Sequence, residues 1–80
     1  MHTLFVLQTI FREIFDDERL VITPQTAPRD IPSWDSVTQV QLILAIEEQF
    51  NFRFTTEEVA ALKKAGDFME CIERRSGELP

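Results

Sequence analysis

Apolar residues recur every three or four positions at the start of the chain. Leu4, Leu7, Ile10, Phe11, Ile14 and Phe15 fall along one side of a helix predicted from Thr3 to Phe15. The periodicity stops at Asp16. From there to Asp35, Pro24, Pro28 and Pro32 forbid a continuous helix, and the apolar Leu20, Val21, Ile22, Ile31 and Trp34 are expected to pin the segment to the core. So long a loop in so short a chain is uncommon and tends to be functional. A second helix, uninterrupted by proline or glycine, is predicted from Asp35 or Ser36 to about Phe50, where an Asp can accept the free amides of the first turn. Thr55-Thr56-Glu57-Glu58 has the form of a capping box, with Thr55 bonding forward to Glu58 and Glu58 reaching back, and starts a short third helix through Leu62. A turn is expected at Lys64-Ala65-Gly66-Asp67. A last helix through Phe68, Met69 and Ile72 ends near Arg74 and Arg75, whose charge suits a helix C-terminus, and Ser76 to Pro80 has the look of a frayed tail. The pattern predicts an all-α four-helix bundle, three main helices plus the short third one, with a long first loop. Residues 1–80 form a single domain in this reading, with an ordered core of about 3–75.

The second helix carries more apolar residues than one buried face needs. If Val40, Ile43, Ile46 and Phe50, supported by Leu42, face the core, then Val37, Gln41, Leu44 and Glu48 lie on a separate stripe. Val37 and Leu44 would then be scattered surface hydrophobes, which need no explanation, or a small docking patch beside Glu47 and Glu48 for a partner with basic residues around a shallow apolar site.

Composition narrows the function classes. Eighty residues, 44% of them apolar, suffice for one small domain and are too few for most self-contained enzymes. Eight basic against 14 acidic residues give a net charge of -6, which disfavours nucleic acid phosphates and anionic lipid. Cys71 is the only cysteine, so an internal disulfide is impossible and a reducing, cytoplasmic setting fits. The apolar opening Met1-His2-Thr3-Leu4-Phe5-Val6-Leu7 is interrupted by Gln8, Arg12 and Glu13 and lacks the other parts of a signal peptide. No run has the length to cross a bilayer, so no membrane insertion is expected. Acidic pairs such as Asp16-Asp17, Glu47-Glu48 and Glu57-Glu58 lack the spacing of a calcium loop, and no metal site is expected.

Ser36 is the other residue with chemical potential. It stands at the predicted start of the second helix, where an attached phosphate would meet unpaired backbone N–H groups and the positive end of the helix dipole. A Ser or Asp at this place is more often a cap. A nucleophilic serine also needs a base, and the only histidine, His2, lies at a terminus expected to be mobile. Ser36 is therefore better suited as an attachment point modified by another protein than as a catalyst.

Asp35-Ser36-Val37, then Val40, Leu42, Ile43 and Ala45, then Ile46-Glu47-Glu48-Gln49-Phe50 and the Thr55-Thr56-Glu57-Glu58 segment closely resemble the acyl carrier protein family. The resemblance runs from the first helix to about Arg75. Three residues of motif would be weak alone, and the specificity comes from their place after a proline-bearing loop at a helix start. The resemblance implies a carrier that is not an enzyme and has no catalytic residues. A 4'-phosphopantetheine arm from coenzyme A would be attached to Ser36, with Asp35 as its motif neighbour, by a magnesium-dependent phosphopantetheinyl transferase, the holo-carrier synthase. The arm's thiol would hold an acyl group as a thioester, and Cys71 would take no part.

The expected partners are that transferase, an acyl-activating ligase or acyltransferase, and downstream synthases or transferases of fatty-acid, lipid or specialised, polyketide-like biosynthesis. The expected state is a monomer. Val37 and Leu44 match the family's apolar contact points and Asp35, Glu47 and Glu48 its acidic ones, on the face that also holds Gln41. Val37 stands where Leu is commonest, Trp34 where a small residue is common, and Thr38 and Gln41 where fatty-acid carriers place Asp and Glu. The missing charges imply weaker steering of basic partners. Two alternatives remain: an amino-acid carrier of the same fold, peptidyl or D-alanyl, and a helical adaptor without a prosthetic group. Phe5, Phe11, Phe15, Phe50, Phe52, Phe54 and Phe68 are read first as core filling, and secondly as rings that narrow the space in which family members can shelter an acyl chain.

Overall fold

In the computed structural model, residues 3–76 are described, the side chain of Ser76 excepted. Four α-helices follow one another: α1 (Thr3–Ile14), α2 (Ser36–Phe50), α3 (Thr56–Ala61) and α4 (Ala65–Ser76), with one 3₁₀ turn, Pro28–Asp30, in the long first loop. The predicted bundle is the observed one. Ser76, expected to begin a frayed tail, is the last residue of α4; His2, where a mobile start was expected, and residues 77–80 of that tail lie outside the described residues.

α2 and α4 both pack against α1 around a core in which Phe11, Phe68, Leu7, Leu42, Ile46 and Ile72 are fully buried. Each such side chain contributes on the order of 1.5–3 kcal/mol by leaving water. The aromatic rings interlock: Phe11 lies edge-on to Trp34 and Phe68, at centroid separations of 5.2 and 6.3 Å, the arrangement that ring quadrupoles favour.

Three apolar residues fall elsewhere than expected. Val40 is exposed, as are Phe5 and Val21. Val40 is displaced from the core because Leu42 and Ile46, one helical turn apart, define the buried line of α2, and Val40 is about 140° from their midpoint in a 3.6-residue helix. Phe5 stands in the same relation to the buried Thr3, Leu7 and Ile10 of α1, so not every phenylalanine fills the core. Val21 gives way to its neighbours: the Ile22 amide donates to Gln8 Oε1 at 2.9 Å and the Leu20 carbonyl accepts from Arg12 Nε at 2.7 Å. These two bonds tie the loop to α1 and turn Ile22 inward and Val21 out.

The turn expected at Lys64-Ala65-Gly66-Asp67 is instead the start of α4. Asp67 reaches back to accept the amides of Lys63 and Lys64 at 2.9 and 3.0 Å, which closes the first turn as a capping carboxylate does. The Ala65 and Gly66 amides donate to the Thr26 and Pro24 carbonyls, both at 2.8 Å, and so bind the loop to the head of α4. Gly66 permits this approach, since a Cβ there would stand 2.7 Å from the Pro24 carbonyl oxygen.

Candidate functional site: the head of α2 and its outer face

Asp35 caps α2. Its Oδ1 accepts the amides of Val37 and Thr38, each at 3.0 Å, while the Thr38 hydroxyl accepts the Asp35 amide at 2.8 Å and donates to the Ser33 carbonyl at 3.0 Å. The Thr38 amide first, and then that of Val37, hold the Asp35 carboxyl below the ordinary carboxylate range. The cap expected of an Asp at this helix start is present, and it takes the Val37 and Thr38 amides, so those two are no longer open to an attached phosphate. What the cap does instead is release its neighbour: Ser36, the first residue of the helix, is exposed and its hydroxyl takes no part in the cap.

The outer face of α2 is apolar over two turns. Val37, Val40 and Leu44 are 65%, 54% and 59% exposed and succeed one another at spacings of three and four, which aligns them on one side of the helix. Gln41 and Glu48 are exposed beside them. Glu47 is half-buried, and its Oε2 accepts the Phe54 amide at 2.8 Å, so this carboxylate also fastens the segment after α2. The stripe is therefore one residue wider than the sequence predicted, and Val40 is the member that was missed. Its signal was present in the spacing to Val37 and Leu44.

Behind Ser36, the indole of Trp34 is buried. Its Nε1 donates to Gln39 Oε1 at 2.7 Å, and Gln39 Nε2 donates to the Leu62 carbonyl at 3.3 Å. This brace joins the end of the loop, the first turn of α2 and the end of α3. A shallow depression lined by Pro28, Trp34, Asp35, Ser36, Gln39, Leu62 and Lys63 opens beside the serine.

A second polar cluster holds α3 to α4. Glu58 closes the capping box on the Thr55 amide at 2.8 Å, and its two oxygens also accept from Arg75 at 2.8 Å, Arg74 at 3.1 Å and the Cys71 thiol at 3.2 Å. The Thr55 amide foremost, with Cys71 and the two arginines, holds Glu58 down at about 2. Burial first, and then the Glu58 carboxylate, push the Cys71 thiol up to about 11. That thiol stays protonated and unreactive at neutral pH. Among the described residues no group of three or more His, Cys, Asp and Glu side chains is placed to hold a metal ion, and no helix is long and apolar enough to cross a membrane.

No protein-family model matches the chain. Among solved structures, the holo acyl carrier protein of Geobacter metallireducens, determined by solution NMR, superimposes with a TM-score of 0.90 at 35% identity, covering 98% of this chain and 90% of that one. The chain belongs to the acyl carrier protein family. Its fold is accordingly that of a carrier and not of a catalyst. In this family member the serine of the Asp-Ser-aliphatic motif heads α2 beside the apolar stripe, so Ser36 and the exposed face share one helix.

Proposed function

We propose that this acyl carrier protein holds an acyl intermediate as a thioester on a 4'-phosphopantetheine arm attached to Ser36. The observation that carries this reading is the position of Ser36: exposed, released from capping by Asp35, and set on a chain of carrier fold. The structural neighbour is a holo protein, which supports the same prosthetic group here. A transferase using coenzyme A and magnesium would attach the arm. Val37, Val40 and Leu44, with Gln41, Glu47 and Glu48 around them, would form the contact face for that transferase, for the ligase or acyltransferase that loads the thiol, and for the synthases and transferases that unload it.

The face fits partners that rely more on apolar contact than on charge. Thr38 and Gln41 are uncharged, and Glu47 spends one oxygen on the Phe54 amide. Such partners would be those of a fatty-acid, lipid or specialised biosynthetic route, and association should depend only moderately on salt. Incubation with coenzyme A, magnesium and a broad-specificity phosphopantetheinyl transferase tests the reading. The expected result is a mass gain of one phosphopantetheine that is absent from Ser36→Ala; a gain that survives Ser36→Ala would overturn it.

A further inference from the structure

An alkyl chain on a thioester seeks an apolar place to lie, since each methylene left in water retains its unfavourable hydration. The depression beside Ser36 faces the core, because its floor is made of Trp34, Gln39 and Leu62, and both Trp34 and Leu62 belong to the buried cluster. That floor is shut by hydrogen bonds. The indole N–H is engaged by Gln39 at 2.7 Å, and the Gln39 amide group is engaged by Leu62 at 3.3 Å. Behind the floor the space is filled: the Trp34 ring lies 5.2 Å from that of Phe11 at an interplanar angle of 87°, 6.2 Å from Phe15 and 6.3 Å from Phe68.

A chain entering between these groups would have to turn the indole out of its aromatic neighbours. It would also strand the indole N–H and the Leu62 carbonyl away from water, which is the costly way to lose a hydrogen bond. The loop that carries Trp34 has little freedom to yield, because the Pro24 and Thr26 carbonyls are bonded to the head of α4 at 2.8 Å.

We propose that the Trp34–Gln39–Leu62 brace is a specificity determinant that keeps cargo out of the helical core and fits this carrier to short or polar acyl groups, which remain at the surface. The proposal rests on the reading of Ser36 as the attachment point. Gln39 and Trp34 act on cargo through the space they close and are positioning residues.

The test loads the protein through the transferase with acetyl-, butyryl-, hexanoyl-, octanoyl- and decanoyl-coenzyme A, checks each product by intact mass, and records amide chemical shifts together with the fluorescence of Trp34, the sole tryptophan. Every chain length should load. In the wild-type protein, shift changes beyond those of the acetyl form should stay within Ser33 to Gln41 and the end of α3, and the Trp34 emission maximum should not move. In Gln39→Ala and Trp34→Ala, the decanoyl form should shift the amides of Phe11, Leu42, Ile46 and Phe68. Shifts at those four residues in decanoyl wild-type protein, or a displaced Trp34 emission, would overturn the proposal. Decanoyl Gln39→Ala that behaves as wild type would overturn the assignment to the brace. Gln39→Ala removes only two hydrogen bonds at a half-buried position, so the test stands even if Trp34→Ala does not fold. Absence of any mass gain is a separate result: it would overturn the carrier reading itself, whatever the core does.

Discussion

Two helices of this protein begin with the same local device and use it differently. At the head of α2, Asp35 and Thr38 exchange hydrogen bonds across one turn, and apart from the bond from Thr38 to the Ser33 carbonyl they do so without help from the rest of the molecule. At the head of α3, Thr55 and Glu58 make the same reciprocal pair, but Glu58 carries it on into α4 through Arg74, Arg75 and Cys71. The first cap stabilises a helix and leaves the adjacent serine exposed. The second cap turns a six-residue helix, too short to stand alone, into part of the bundle. A capping box is thus a local motif whose consequence depends on what the capping side chain meets beyond its own helix.

The sharpest way to break this comparison is Glu58→Ala, which removes acceptors from two arginines, a thiol and an amide at once. A loss of about 2 kcal/mol is expected from charge-assisted bonds of which one arginine is half exposed, measured by urea unfolding. Asp35→Ala loses only a local cap, and a clearly smaller loss is expected by the same method. Equal effects at the two positions would show that the α3 network adds nothing to its cap.

Acid sharpens the same contrast. Glu58 is held at about 2 against an ordinary 4.5, so its contribution is fully present above about pH 4.5 and is lost as the pH falls toward 2. Asp35 is displaced in the same direction. Stability should therefore fall over that window, and Glu58→Gln should flatten the fall more than Asp35→Asn does; an unchanged acid limb in Glu58→Gln would contradict the assignment. The smallest effect on stability belongs to the outer face. Val40→Ala should change it by less than about 0.5 kcal/mol, while slowing modification by the transferase if Val40 belongs to the contact stripe.

The elements that were legible in the sequence are those fixed by near neighbours. The Asp35 cap and the Thr55–Glu58 capping box lie within four residues each, and the α1 stripe repeats along one helix, so local pattern sufficed, although the bond that Thr38 returns to Asp35 was not foreseen. The face of α2 was harder to read, since apolar residues stand on most of its sides; only contact with α1 decides that Leu42 turns inward and Val40 outward. The head of α4 was mistaken for a turn because Gly66 signals one, whereas here the glycine admits the Pro24 carbonyl. The Gln39–Leu62 bond joins residues 23 apart, and the Arg75–Glu58 pair residues 17 apart. Neither leaves a trace in local spacing. At the candidate site Ser36, Asp35, Val37 and Leu44 were found from the motif and its helical register, while the closed floor beneath Ser36 depends on three distant segments.

The account turns on Ser36 as the single point of attachment, and peptide mapping of transferase-treated protein tests this most directly. The predicted result is one phosphopantetheine per chain, located on the peptide containing Ser36, with Ser36→Ala unmodified and folded as stably as the parent. Modification at any other residue, or none under conditions that load a known carrier protein completely, would contradict it.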